Sequence, residues 1–222
     1  MKKNVIIIAF IIFSTCIANA QDTLWNRIKV DENISISLPG EVQKIDTSFV
    51  KKGQKFDMRI LVAQTDYAAL GITLSPNETN INVDNLESLK KALASIAKGA
   101  TNSMREQGLR CNSIDTTIDK MPCKKLSCIG KKNGVPMTIV TYSFLINDKV
   151  YAIQSAFIPE FNAYGFAETD SLIKSIHVET ASVKELQFLS KAESVGYKFG
   201  HFIGMLVFPA IVIGLIIYFV RR

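Results

Sequence analysis

The sequence predicts an α+β fold, an antiparallel β-sheet flanked by helices as an α/β/α sandwich, followed by one C-terminal transmembrane helix. Three observations lead to this prediction. Runs of alternating apolar and polar residues, separated by turn residues, occupy both halves of the central region. A long apolar stripe at helical spacing lies between them. An uncharged stretch, residues 199–220, stands near the end of the sequence.

Residues 1–20 have the form of a secretory signal peptide. Lys2-Lys3 precedes an apolar run, and Ala18-Asn19-Ala20 has the small-x-small form that signal peptidase accepts. An uncleaved anchor is the alternative interpretation. A lipid-modified Cys16 is a third one, and Phe13-Ser14-Thr15 disfavours it because no Gly or Ala precedes the cysteine.

Residues 199–220 are predicted to cross the membrane once. At about 1.5 Å per helical residue they reach roughly 33 Å, which is enough to span the hydrocarbon core. Because Lys and Arg collect on the cytoplasmic side, Arg221-Arg222 is expected to be a cytoplasmic tail. Residues 21–178 then form an extracytoplasmic domain, periplasmic or extracellular, and residues 179–198 form a juxtamembrane helix or a flexible linker.

The net charge of +6 does not indicate a nucleic-acid partner. All 20 Asp and Glu residues lie between residues 21 and 197, where 21 of the 26 Lys and Arg residues also lie, so this part carries 21 minus 20, or +1. The excess of basic residues therefore flanks the membrane-inserted segments. It consists of Lys2, Lys3, Lys198, Arg221 and Arg222.

The first part of the domain is predicted to form strands. Ile34, Ile36 and Leu38 alternate with serines, the period-2 pattern of a half-buried strand. Asp31-Glu32-Asn33 before this run and Pro39-Gly40 after it have the composition of turns. The predicted strands are Arg27–Val30, Ile34–Leu38, Lys44–Val50, Lys55–Gln64 and Tyr67–Leu74.

A long amphipathic helix follows these strands. Asp84 is its predicted N-cap, and Gly108 is its predicted C-terminal stop. Apolar residues at three- and four-residue intervals form one stripe that is suited to lie on a sheet. The stripe consists of Leu86, Leu89, Leu93, Ile96, Ala97, Ala100 and Met104.

A four-stranded meander is predicted from Leu109 to Ile158. Its turns are Asp119-Lys120, Asn133-Gly134 and Asn147-Asp148. The last turn fixes a register in which the opposed pairs are Phe144 and Tyr151, Tyr142 and Ile153, and Val140 and Ser155. A closing helix is predicted from Tyr164 to Ser175, with four apolar residues facing inward: Phe166, Leu172, Ile173 and Ile176.

Removal of the signal peptide leaves three cysteines in the domain. With Asp119-Lys120 as the turn, Cys111 lies opposite Cys128, and we predict a cross-strand disulfide between them. A turn shifted by one residue at Pro122 would undo this pairing. Cys123 is predicted to be a buried free thiol on the other sheet face, together with Ile114, Ile118, Met121 and Ile129.

The sequence contains no motif for catalysis, a cofactor or a phosphate-binding loop. A zinc site at the cysteines would need a fourth ligand, and neither His177 nor His201 is near them in sequence. Carboxylates are scattered without a distinguishing spacing. We therefore expect no enzyme activity, no cofactor and no metal.

Three glycines recur at four-residue intervals at the start of the predicted span. Gly196, Gly200 and Gly204 would line one helix face without side chains and would let a second helix approach closely. A homodimer through the transmembrane helix is the resulting expectation, and a simple tether is the alternative.

The order of elements resembles the PsbP-like and DcrB-like family of extracytoplasmic domains. The resemblance covers roughly Trp25 to Val178: early strands ending in Ser37-Leu38-Pro39-Gly40, a long helix from Asp84, a meander and a closing helix. It implies an antiparallel sheet between helices and a non-enzymatic role in binding or supporting envelope complexes. A membrane helix after the domain departs from the family, and no functional residue is carried over.

The leading hypothesis is a single-pass envelope protein whose exterior domain binds a protein or a small ligand. The alternative is an accessory subunit of a transporter or secretion complex that acts through its transmembrane helix. A third hypothesis, a hydrolase that uses the scattered carboxylates, has no motif to support it.

Overall fold

A computed structural model of the chain describes residues 24–51, 54–75, 86–119, 121–132, 134–146 and 149–179. These residues form ten strands, two α-helices and one 3₁₀ turn. The strands are β1 (Trp25–Lys29), β2 (Ile34–Pro39), β3 (Gln43–Lys51), β4 (Gln54–Gln64), β5 (Ala69–Ser75), β6 (Leu109–Ile118), β7 (Met121–Lys132), β8 (Val135–Ile146), β9 (Lys149–Phe157) and β10 (His177–Val178). The helices are α1 (Leu86–Glu106) and α2 (Asn162–Lys174), and the 3₁₀ turn is Pro159–Phe161.

The predicted membrane-associated segments lie outside the described residues. These are the signal peptide at 1–20, the span at 199–220, the tail at 221–222 and nearly all of the segment 179–198. Within the part of the chain that the structure describes, no helix has both the length and the apolar character needed to cross a bilayer.

Two antiparallel sheets build the domain. The larger has seven strands in the order β3-β4-β5-β9-β8-β7-β6, and the smaller has three in the order β1-β2-β10. The fold is therefore mostly sheet, with few helices.

Helix α1 covers one face of the seven-stranded sheet. Leu93 and Ile96 are buried against sheet residues such as Leu126 and Ile139. The predicted stripe is confirmed except at Leu86, the first residue of the helix, which is 54% exposed. Gly108, with φ of +86°, ends this segment where an L-residue would be strained, as predicted.

The other face is covered by α2 together with the small sheet. Ile34, Ile36 and Leu38 of β2 are fully buried in this second core. A purely helical second layer was expected, and the small sheet is the difference. Gly40, with φ of +59°, redirects the chain after β2, so that β3 joins the other sheet.

The meander forms as predicted, including its register. β8 and β9 pair Phe144 with Tyr151, Tyr142 with Ile153 and Val140 with Ser155. The rings of Phe144 and Tyr151 stack with centroids 5.2 Å apart. The aromatic-rich face expected from the Asn147-Asp148 turn is therefore present.

The inward face of α2 differs from the prediction. Leu172 is buried, but Phe166 is 42% exposed. Gly165 and Thr169 face inward instead. The ring of Phe157 lies where a side chain at 165 would be, since a Cβ there would lie 2.3 Å from Phe157 Cγ, and the Thr169 hydroxyl lies 2.6 Å from that of Ser155. Because Gly and Thr are not large apolar residues, the spacing of apolar residues does not predict this inward face of α2.

The face of β6 and β7 that carries Cys123 is only partly covered by the second core. Ile118 and Cys123, near the β6–β7 turn, are buried, whereas Ile114 and Ile129 are 50% and 55% exposed. All four side chains lie on one face, as the β6–β7 register requires. The second core includes the turn end of this hairpin and stops before its open end.

Candidate binding surfaces at the two ends of the sheet

The turn between β1 and β2 is organised by the carboxylate of Asp31. Its Oδ1 accepts hydrogen bonds from the backbone N–H of Asn33 at 2.9 Å and of Ile34 at 3.2 Å. A short Asp side chain that bonds to the backbone two and three residues ahead is typical of an Asx turn. These bonds define the shape of the turn, and Oδ2 lies toward β9.

Two side chains of β9 bond to Asp31 Oδ2. The Tyr151 hydroxyl donates to it at 2.7 Å, and Lys149 Nζ lies 2.9 Å away. Asn33 Nδ2 donates to the Tyr151 hydroxyl at 3.0 Å, and Lys149 also bonds to Glu32. The Asp31 side chain is only 5% exposed, so its charge is held by these partners and not by water.

The pKa values in this network follow from its geometry. Burial raises the pKa of Asp31, but the bonds from Tyr151, Lys149 and the Asn33 backbone outweigh burial and hold the pKa below its ordinary 3.8. For Lys149 burial lowers the pKa, and the bonds to Glu32 and Asp31 raise it above its ordinary value. Burial raises the pKa of Tyr151. At neutral pH the network is thus a carboxylate, an ammonium and a neutral phenol.

An open groove of about 530 Å³ lies beside this network. We call it the charged groove. It is lined by Asp31, Glu32, Asp46, Thr47, Ser48, Asp57, Met58, Arg59, Leu74 and Lys149.

The Asp46 carboxylate of the groove is paired with a cation on the neighbouring strand β4 and with one on its own strand β3. Arg59 Nε lies 2.9 Å from Asp46, and Lys44 Nζ lies 3.2 Å from it. The bond from Arg59 holds the pKa of Asp46 below its ordinary value, and the bond from Lys149 does the same for Glu32. None of these three carboxylates, Asp31 included, holds a proton at neutral pH, so none is suited to act as a general acid.

The charged groove lies at the end of the domain where the described chain finishes. The backbone N–H of Glu179 donates to the carbonyl of Asn33 at 2.9 Å, next to Asp31. The described part of the chain therefore ends beside the groove.

Three aromatic side chains form a second surface at the opposite end of β9. Tyr67, in the β4–β5 turn, stacks on Tyr164 of α2 with centroids 4.4 Å apart and meets Phe161 edge-on at 5.5 Å. We call these three rings the aromatic shelf. Since β9 runs from Lys149 to Phe157, roughly 26 Å at the usual strand rise separates the groove from the shelf.

The aromatic shelf is held in place by Thr65 and Glu168. The Thr65 hydroxyl accepts bonds from the N–H groups of Tyr67 at 3.1 Å and Ala68 at 2.9 Å, and it donates to Glu168 Oε2 at 2.7 Å. This pattern ties the turn to α2 and fixes the backbone of Tyr67. Burial, followed by the charge of Asp66, raises the pKa of Glu168 despite the bond from Thr65.

The cysteines lie away from both surfaces. Cys111 and Cys128 face each other across β6 and β7 with Cα atoms 4.0 Å apart, and their sulfurs are bonded. Cys123 is a buried free thiol, and burial together with the Asp115 charge raises its pKa to about 12. A thiol with so high a pKa is a poor nucleophile.

The remaining predicted site residues, Gly196, Gly200 and Gly204, lie outside the described residues. Within the described ranges, no group of three or more His, Cys, Asp or Glu side chains is placed to hold a metal ion. The sequence prediction missed the Asp31 network. The available signal was Asp-x-Asn between two strands, which indicates an Asx turn but not its partners on β9.

No protein-family model and no curated protein matches this chain by sequence. Its structure is similar to cyanobacterial PsbP (CyanoP) from Synechocystis sp. PCC 6803, with 11% identity, 73% of this chain and 96% of the other covered, and a TM-score of 0.51. It also aligns with LpqN of Mycobacterium tuberculosis, described as involved in cell envelope biogenesis, with 10% identity, 71% and 92% covered, and a TM-score of 0.42. The likeness to CyanoP confirms the PsbP-like fold that the order of elements indicated.

Proposed function

We propose that this chain is a single-pass envelope protein whose domain, residues 21–178, lies outside the cytoplasm and binds a protein or small ligand in the charged groove. The groove is the observation on which the proposal rests. It is open, it lies at an end of the sheet, and its side chains are fixed by hydrogen bonds before any ligand arrives. A preformed site of this kind loses little entropy on binding.

The exterior location is supported by two independent features. The Lys2-Lys3 and Ala18-Asn19-Ala20 signals predict export. The Cys111–Cys128 disulfide suits an oxidising compartment.

The ionisation of the carboxylates in the charged groove favours ligand binding over catalysis. Asp31, Glu32 and Asp46 have lowered pKa values and cationic partners, so they recognise a ligand better than they transfer protons. Arg59 and Lys149 place cations among these anions, and such a mixed surface suits a polar protein segment or a zwitterionic ligand.

A second candidate function is favoured by the position of the groove. Residue 179 lies at the groove, and residue 199 begins the predicted span only 20 residues later, about 30 Å as a helix. The groove would then face the bilayer. An accessory subunit of a transporter or secretion complex, assembled through its transmembrane helix, would meet its partner on this side.

Site-specific photo-cross-linking in living cells tests both candidates. A photoreactive amino acid at Thr47, an exposed groove residue, is expected to give a discrete cross-linked product, and the same amino acid at exposed Ala94 on α1 is the matched control. Equal products from both positions, or none from Thr47, would overturn the groove proposal. Exchange of residues 199–220 for an unrelated span separates the candidates, because only the accessory-subunit function requires the native helix for the Thr47 product.

A further inference from the structure

The residues along the chain on either side of the aromatic shelf are acidic or uncharged. Residues 60–75 and 150–173 include the shelf, and they contain none of the 26 Lys and Arg residues of the chain. The basic residues of β4, β9 and α2 lie outside these ranges, and those next to them are Arg59, Lys149 and Lys174. They contain four carboxylates: Asp66, Glu160, Glu168 and Asp170. This surface therefore presents rings and negative charge together.

The outermost ring is that of Tyr164. Its side chain is 56% exposed, while its other face stacks on Tyr67. Glu168 follows Tyr164 by four residues in α2 and so lies on the same side of the helix, one turn later. Asp66, next to Tyr67, is close enough for its charge to act on Glu168.

We propose that the aromatic shelf is a docking surface for a basic segment of a partner protein, with a Lys or Arg side chain over the exposed face of Tyr164 and its charge directed to Glu168 and Asp66. This inference rests on the proposed function only in that the domain is a binding domain. The shelf and the charged groove lie at opposite ends of β9.

The chemistry of the shelf matches a cationic side chain. Cations are attracted to the faces of aromatic rings, and the attraction grows when carboxylates lie at the ring edge. Tyrosine is also one of the residue types that are enriched at the hot spots near the centre of protein interfaces. Thr65 restricts Tyr67 through its backbone, and Tyr67 supports Tyr164.

The position of the shelf favours a protein over a lipid headgroup as the source of the cation. The described chain ends at Glu179 beside Asn33, at the groove end of the domain. If residues 179–198 form the predicted juxtamembrane helix and continue away from the domain, a bilayer crossed by residues 199–220 lies on that side, away from the shelf. The free face of Tyr164 is thus available to a protein in the surrounding compartment.

The test uses the full chain in maltoside micelles and fluorescein-labelled peptides made of Gly-Ser-Arg, Gly-Ser-Lys or Gly-Ser-Glu repeats, measured by fluorescence anisotropy. We expect the Arg and Lys peptides to bind and the Glu peptide not to bind. Tyr164→Leu and Asp66→Lys should each weaken binding of the Arg peptide about fivefold, whereas Tyr164→Phe, which keeps the ring, should stay within about twofold. Glu179→Lys is the matched charge change at the other end of the domain and should behave as the parent at moderate salt.

Three results would overturn the proposal: no binding of the Arg peptide to the parent, equal binding of the Arg and Glu peptides, or unchanged binding in both Tyr164→Leu and Asp66→Lys. Binding of the protein to phosphatidylcholine vesicles is measured as well. Binding to them that depends on Tyr164, without binding of the Arg peptide, would assign the shelf to a lipid headgroup instead. Failure of the Thr47 cross-link leaves these results unaffected, so the two proposals fail separately.

Discussion

The hydroxyl of Tyr151 donates a 2.7 Å hydrogen bond to Oδ2 of Asp31, a residue 120 positions earlier in the chain. This bond joins the turn of the small sheet to β9 of the large sheet at the rim of the charged groove. Both side chains are buried or nearly so, and each has other partners that the bond keeps in place.

Tyr151→Phe tests how much this bond contributes to the free energy of unfolding. Removal of the hydroxyl leaves the Asp31 carboxylate and the Asn33 amide each without one partner, and we expect a loss of about 2 kcal/mol in the free energy of unfolding. Urea denaturation followed by circular dichroism measures the loss. Tyr142→Phe is the control, since Tyr142 lies on the same sheet face and contacts Lys125 through its ring. Equal effects of the two changes would contradict the assignment.

The pH dependence of stability tests the charge state of Asp31. Its pKa in the folded protein lies below the ordinary 3.8, so it stabilises the fold above 3.8 and loses this contribution as the pH falls through the folded value. Asp31→Asn should therefore be less stable than the parent at neutral pH, with a difference that shrinks toward about pH 2. Urea midpoints across this range provide the measurement. A difference that stays constant with pH would mean that Asp31 contributes through shape alone.

Gly165→Ala tests the close contact between α2 and β9. The added Cβ would lie 2.3 Å from Phe157 Cγ, so either the helix or the ring must move. Overpacking should cost about 2 kcal/mol, more than the gain of about 1 kcal/mol that Ala brings to a helix. Phe157→Leu in the same chain should recover part of the loss, and a thermal or urea melt of all four variants gives the coupling. Strict additivity would show that the two residues do not compete for space.

Replacement of the disulfide tests how β6 is held at the edge of the sheet. Cys111 and Cys128 are 17 residues apart, and in the chain-entropy view a link of this length contributes about 3 kcal/mol. The double variant Cys111→Ser, Cys128→Ser should lose about that much, and a reducing agent should bring the parent to the same urea midpoint. Cys123→Ala is the control because it leaves the link intact. A parent midpoint that does not respond to reduction would contradict the prediction.

The meander and its register follow from local signals. The Asn147-Asp148 sequence predicts a turn, and with this turn the alternation of side chains predicts that Phe144 faces Tyr151, as β8 and β9 show. The cysteine register follows in the same way from Asp119, whose φ of +46° suits a tight turn. Short-range patterns are sufficient here because each pair of strands is connected by a hairpin.

The positions of elements that contact distant parts of the chain could not be predicted from such local signals. β10 is only two residues long and forms by pairing with β2, so no periodic residue pattern predicts it. Gly165 faces inward because the Phe157 ring occupies the space of a side chain, and Thr169 faces inward beside Ser155, so an apolar pattern does not predict either position. The charged groove and the aromatic shelf each combine side chains from distant strands and turns. The sequence contains these residues, but no local pattern predicts that they lie close together in space.

The pairing of β2 with both ends of the domain has a consequence for biogenesis. β2 begins at residue 34, yet one of its edges is completed only by His177–Val178, and the N–H of Ser37 bonds to Ser175 Oγ, 138 residues later. A chain synthesised from its N-terminus therefore cannot complete this core until nearly the whole domain has emerged, and until then Ile36 and Leu38 remain available to chaperones and proteases. Any shortened form that stops after β9 should be cleared by quality control, so the smallest form worth expressing extends through Glu179.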